Sequence, residues 1–163
     1  YLHFQLRSPV KKDYPNQLDI SAAGHINAAE SVSDGIREIH EELGINVSIE
    51  ELIYLGKIQD EIIQDTIIDR EFAHVFVYLI PSDSGINYTF QIEEVSGMFR
   101  VELDLFEQLW LEKINTIHVR GQILDDHLNQ IEVDKIVGLT DFLPHNPTYI
   151  SSILMKFKTL LNP

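Results

Sequence analysis

The chain has 163 residues, 44% of them hydrophobic and 23% charged, which is enough for one domain with its own core. A formal net charge of −14 repels phosphate backbones and excludes duplex nucleic acid as an expected partner. No apolar run reaches the roughly 18–20 residues that span a bilayer, and cysteine is absent, which removes disulfides, thiolate metal sites and a cysteine nucleophile; no membrane partner is expected, and the cytoplasm is the expected compartment.

Residues 1–7, YLHFQLR, alternate Leu2, Phe4 and Leu6 against Tyr1, His3 and Gln5, the pattern of a strand with one buried face. No secretory signal is visible in these residues; the first is Tyr1 rather than Met and the alternation is already running there, so the natural N-terminus is expected upstream. Residues 8–17, with two prolines and adjacent lysines, read as a loop. Residues 18–26 read as a short extended segment entering a glycine turn. From 31 to 43 the period becomes helical, with Ile36, Ile39 and Leu43 on one face, Ser31 or Ser33 as the cap and Gly44 at C′.

Residues 45–49, 52–59 and 70–80 are rich in Ile, Val, Tyr and Phe and read as strands. A turn is expected at 81–85, then a strand over 88–103 broken near Ser96-Gly97. Residues 104–114 take helical spacing, with Trp110 in the core, and 116–136 form a hairpin turning near Asp125-Asp126. Asn146-Pro147 reads as a cap followed by proline at the first helical position, opening a last helix over 148–161. With no repeat or linker, one α+β domain over 1–163 is expected, a mixed β-sheet flanked by helices.

Residues 22–45, AAGHINAAESVSDGIREIHEELGI, carry the chemistry. Glu38, Glu41 and Glu42 stand at i, i+3 and i+4 and share one helix face. Such like-charge pairs weaken a helix by about 0.2–0.5 kcal/mol each, and a bound divalent cation would offset that. An acidic helix face is by itself most often solvated surface. Here it sits in an ordered series: Gly24, five residues, Glu30, six residues, then Arg37-Glu38-Ile39-His40-Glu41-Glu42-Leu43-Gly44-Ile45. The series resembles the Nudix box, which differs only in placing seven residues between the first glutamate and the arginine. One residue fewer within an α-helix rotates everything beyond it by about 100°. Unabsorbed, that rotation makes Glu30 miss Arg37, its partner in the family; either the loop at 31–33 absorbs the change, or one residue is missing from the sequence there.

The resemblance implies an α/β/α sandwich-like Nudix fold with a strand–loop–helix–loop motif. It also implies a hydrolase that splits a diphosphate linkage with Mg²⁺, or Mn²⁺ in its place. Mg²⁺ prefers hard oxygen ligands and neutralises charge on phosphoryl oxygens. On this resemblance Glu41 and Glu42 are the foremost metal ligands, Glu38 is the third, and all three are catalytic. Gly24 contributes its carbonyl. Glu94, with Glu93 next, supplies a further acidic ligand from a later loop. Glu30 and Arg37 brace the loop against the helix.

The segments QLRSPVKKDYPNQLDISAAGH, DREFAHVFVYLI and EEVSG, across most of residues 1–101, are similar to the branch related to type I isopentenyl-diphosphate isomerase. That branch implies Arg7, Lys11, Lys12 and His25 as the substrate-binding set, His25 aligning with a metal-binding histidine of the isomerase. It also implies an upstream hairpin of about 30 residues; the oligomeric state stays open, a homodimer being common among such proteins. The isomerase carries a cysteine where this chain has Ala23, so isomerisation is disfavoured. The favoured substrate is a small-molecule diphosphate, a nucleoside diphosphate derivative. A non-catalytic ligand-binding domain is the alternative, and the short box spacing speaks for it.

Overall fold

The computed structural model describes residues 1–27, 29–64, 67–81 and 85–161. In chain order the elements are β1 (Leu2–Arg7), β2 (Leu18–Ile20), α1 (Arg37–Leu43), β3 (Leu52–Gln64), β4 (Ile67–Tyr78), β5 (Val95–Val101), α2 (Leu103–Trp110), β6 (Thr116–Leu124), β7 (Gln130–Gly138) and α3 (Pro147–Leu161). They fall into two compact units, Tyr1–Val47 with Ile86–Leu143, and Ser48–Gly85 with Pro144–Pro163. The α+β class expected from the sequence is the class observed.

The first unit is a five-stranded sheet in the order β2-β1-β5-β6-β7. The named strands pair antiparallel, with Phe4 opposite both Ile20 and Phe99, and Phe99 opposite Gly121. A parallel bridge between Leu18 and Phe142 supplies the mixed character. On one face Phe4 meets Phe106 of α2 and Phe142, with ring centroids 4.7 and 5.1 Å apart. A second cluster, Leu43, Phe90, Val95 and Met98, ties the end of α1 to the start of β5.

Several local expectations change here. Gln5, on the polar side of the sequence pattern, is 3% exposed. β1 is an interior strand and its second face is covered too, where His3 Nδ1 meets the Tyr88 hydroxyl at 2.6 Å. Residues 45–49 do not form a strand. Ser48 and Glu51 instead make a capping box over a short 3₁₀ turn, Ile49–Glu51, the Glu51 carboxylate accepting from Ser48 N–H at 2.8 Å. The strand expected over 88–103 starts only at Val95, because the carbonyl of Gln91 takes the N–H groups of Glu94 and Val95 and closes a turn. Ser96-Gly97 lies inside the strand. Trp110 is half-buried, against Phe106 at 5.9 Å. The hairpin turn near Asp125-Asp126 is present, Asp125 Oδ1 accepting from the N–H groups of His127 and Asn129.

The second unit pairs β3 with β4 in a long antiparallel hairpin, Ile53 opposite Val77 and Gln59 opposite Phe72. Both strands exceed the expected spans 52–59 and 70–80 toward the hairpin tip. Most of the turn expected at 81–85 lies outside the described residues. α3 packs on β3 and opens as expected: Asn146 Oδ1 accepts from Thr148 N–H at 2.9 Å, with Pro147 first in the helix. Asp60, 2% exposed, joins the two elements, accepting from His145 Nδ1 at 2.6 Å, Asn146 N–H at 3.0 Å and Glu61 N–H at 2.9 Å.

Candidate active site

All box residues lie in the first unit. β2 leads into Ser21–Gly24, and the chain reaches α1 through a series of turns. Asp34 Oδ2 accepts from Ser31 N–H and from Ser31 Oγ–H, both at 2.7 Å, and a 3₁₀ turn over Asp34–Ile36 follows. Neither Ser31 nor Ser33 caps the α-helix; Ile36 takes the cap position with no side-chain bond. The helix is therefore shorter than the 31–43 expected, and it begins at Arg37.

That late start resolves the spacing. Glu30 and the six residues after it precede the α-helix, so one residue fewer is taken up in turns and rotates nothing. Arg37 Nη1 donates to Glu30 Oε1 at 2.7 Å, and Nη2 donates to Glu38 Oε1 at 3.1 Å. Arg37 Nε stands 3.9 Å from Glu41 Oε1. One guanidinium thus offsets part of the repulsion along the acidic face. The Glu30 carboxyl lies below its ordinary range, first because Asn27 N–H bonds to it and then because of Arg37.

Glu42 is different from its neighbours. It is 5% exposed, whereas the Glu41 side chain is half exposed. Its carboxylate accepts from the Ala23 N–H, and its Oε2 is buried with no hydrogen-bond partner among the described residues. Burial pushes the Glu42 carboxyl up to about 7; Ala23 opposes this, Glu38 and Glu94 add to it, and Lys11 pulls it back. The end of α1 is clamped by the segment before β5: Thr89 N–H donates to Leu43 O at 2.9 Å and Gln91 N–H to Glu42 O at 3.0 Å. Gly44 closes the helix at C′ with φ of 70°, as expected.

The comparisons with known proteins bear on this geometry. The chain is 38% identical over 154 residues to an uncharacterized Nudix hydrolase of Clostridium acetobutylicum, covering 94% of this chain and 74% of that protein. The chain belongs to the Nudix hydrolase family. It is also 37% identical over 102 residues to Nudix hydrolase 3 of Arabidopsis thaliana, covering 60% of this chain and 13% of that protein. Among solved structures, the crystal structure of DR0079 from Deinococcus radiodurans matches with a TM-score of 0.47 and 24% identity, covering 69% of this chain and 63% of that one. No family model matches the chain.

The remaining candidates around the Nudix box divide. Lys11 Nζ is ion-paired with Glu94 Oε2, and both act on Glu42 through their charge. Glu93 is exposed on the same turn. Arg7 is taken up by its own loop, donating to the carbonyls of Tyr14 at 3.1 Å and Asp13 at 2.9 Å and to Asp19 Oδ2 at 2.9 Å. Lys12 and His25 are exposed. Among the described residues no group of three acidic or histidine side chains is placed to hold a metal ion; Arg37 is paired with Glu30 and Glu38, and Lys11 with Glu94. The chemistry still fits a hard cation. Glu42 is a buried carboxylate with an unused oxygen, and two further carboxylates lie within range of its charge.

Sequence reasoning missed the residues that hold the site together. Ser8, 1% exposed, donates from Oγ to Ile92 O at 2.6 Å and from N–H to Glu94 O at 2.9 Å, fixing the Lys11 loop to the Glu94 turn. Thr89 and Gln91 clamp α1 through backbone groups alone. Neither has a sequence signal, because one polar residue in a loop and two main-chain amides leave no period and no motif. Among the described residues no helix is long and apolar enough to cross a membrane.

Proposed function

We propose that this Nudix hydrolase splits a diphosphate linkage, a phosphoric anhydride, in a small molecule, and that its substrate is a nucleoside diphosphate derivative. The observation that carries this is Glu42. A carboxylate nine-tenths buried, with one oxygen unpartnered among the described residues and two more carboxylates acting on it, is costly to keep unless a cation uses it. Glu42, Glu38 and Glu41 would hold the ion, with the Gly24 carbonyl and Glu94 as further donors, and Mg²⁺ is the ion proposed, Mn²⁺ its alternative. When bound, the ion supplies neutralising charge for the phosphoryl oxygens and a water more easily ionised.

The chain's own residues do the rest. Arg37 holds Glu38 in place and ties the entry loop through Glu30. The Ala23 N–H orients Glu42. Lys12 and His25, both exposed, are proposed to meet the substrate's phosphates, whereas the Arg7 guanidinium serves the loop that carries Lys11 and Lys12. Ala23, at the position of the isomerase cysteine, offers no acid–base group, which favours hydrolysis over isomerisation.

The test is product release from a panel of nucleoside diphosphate derivatives and dinucleotides, with Mg²⁺ or with EDTA, using wild type beside Glu41→Gln. Turnover that needs Mg²⁺ and is lost in the variant is the expected result. A folded protein that binds these ligands and turns none over would instead be a non-catalytic binding domain.

A further inference from the structure

We propose that Lys11 is an internal cation that competes with the divalent ion for Glu94 and so sets the affinity of the metal site. The inference rests on the reading just given. Its basis is a three-way arrangement. Lys11 Nζ is paired with Glu94 Oε2, both groups act on the carboxylate of Glu42, and Glu42 presents a buried oxygen with no partner among the described residues. The lysine does not reach this place on a free loop. Its N–H donates to Ser8 O at 3.2 Å, and Ser8 is bonded to Glu94 O and to Ile92 O at 2.9 and 2.6 Å. The chain has 12 lysines and arginines against 26 acidic residues, yet one lysine is anchored on the loop carboxylate beside the box.

An ammonium is a compact charge on a flexible stem. On Glu94 it neutralises one of the carboxylates that would otherwise repel Glu42. An ion that recruits Glu94 must break the Lys11–Glu94 pair, or it must sit beside an uncompensated positive charge. In either case Lys11 opposes binding, and the freed ammonium becomes available to an anionic ligand at the same place.

The experiment is titration of the full chain with Mn²⁺ alone, followed by electron paramagnetic resonance of the free ion, for wild type, Lys11→Met, Lys11→Arg and Glu42→Gln. In parallel, the rate of amine labelling at Lys11 relative to Lys12 is read by mass spectrometry with and without Mn²⁺. Lys11→Met is expected to bind Mn²⁺ about fivefold or more tightly than wild type, as loss of one nearby unit charge implies. Lys11→Arg keeps the charge and should stay near wild type. Labelling at Lys11 should rise when Mn²⁺ is added. Unchanged or weaker binding in Lys11→Met overturns the proposal, as does labelling at Lys11 that Mn²⁺ does not alter. If wild type binds no Mn²⁺, or Glu42→Gln binds as wild type does, the metal-site reading itself has failed. That result is distinct, because it appears without reference to the Lys11 variants.

Discussion

Gly24 and Glu38 are in contact so close that a methyl group on Gly24 would lie 2.1 Å from Glu38 Cγ and 2.4 Å from its carboxyl carbon. The glycine of the box is thus a space requirement: the turn before the helix lies directly against Glu38, the first carboxylate of the helix. Gly24→Ala should push Glu38 off Arg37, at a cost of about 1–3 kcal/mol in stability. A displacement of that size near reacting groups lowers kcat/KM by about 100-fold. Urea unfolding and steady-state kinetics on one preparation check both. A fully active Gly24→Ala protein would show that Glu38 has no fixed role.

Arg37 joins three glutamates with one planar group. Lysine can satisfy one of them. Arg37→Lys should change stability by less than about 1 kcal/mol, because the cluster is partly exposed. It should lower kcat by about tenfold or more, since Glu38 loses its bond to the guanidinium. A stability loss much larger than this, with kinetics intact, would assign Arg37 to the fold alone.

Glu42→Gln separates stability from function. The folded-state carboxyl is raised from 4.5 to about 7, so the native state holds a proton there that the unfolded chain has released. Stability from this group therefore falls as pH rises between those values, and above them wild type carries a buried charge. In EDTA at pH 8 the variant should melt about 2–4 °C higher than wild type, corresponding to about 1 kcal/mol. Addition of Mg²⁺ should raise the melting temperature of wild type and leave that of the variant unchanged. A variant that melts lower than wild type in EDTA would refute the strained-carboxylate reading.

His3 gives a slope of opposite sign. Burial, first, and the nearby Arg100 lower it from 6.5 to about 4. Between these values the unfolded chain binds the proton and the folded chain does not, so stability rises with pH across this window and is lost on acidification through it. His3→Gln should remove that part of the slope. The comparison must be wild type minus variant, because Glu42 contributes an opposing slope from pH 4.5 to 7. Identical slopes for the two proteins would mean that His3 does not titrate in this range.

Asp60 holds the start of α3 to β3 through His145 Nδ1 and Asn146 N–H, and also accepts from Glu61 N–H in its own strand. Asp60→Ala removes these bonds from a buried setting, at a cost of about 3 kcal/mol. Hydrogen exchange should quicken first in the opening turn of α3. If it quickens evenly over the whole chain, the anchor is not local.

The family motif, the α+β class, the hairpin over 116–136 and the capped last helix were legible in the order of the residues. Each rests on local order: residue spacing, a period, or a cap whose partner is two residues away. What failed was also local in origin. Residues 45–49 have strand composition, but Ser48 and Glu51 prefer to close a capping box. Residues 88–94 have it too, but Gln91 closes a turn. Long-range packing is what buries Glu42 and leaves Glu41 half exposed, although they are adjacent in sequence. It also decided that Lys11 meets Glu94 and that Arg37 reaches Glu30 despite the short spacing. Burial and long-range ion pairs depend on which distant segments arrive at the same place, and a one-dimensional pattern does not contain that information.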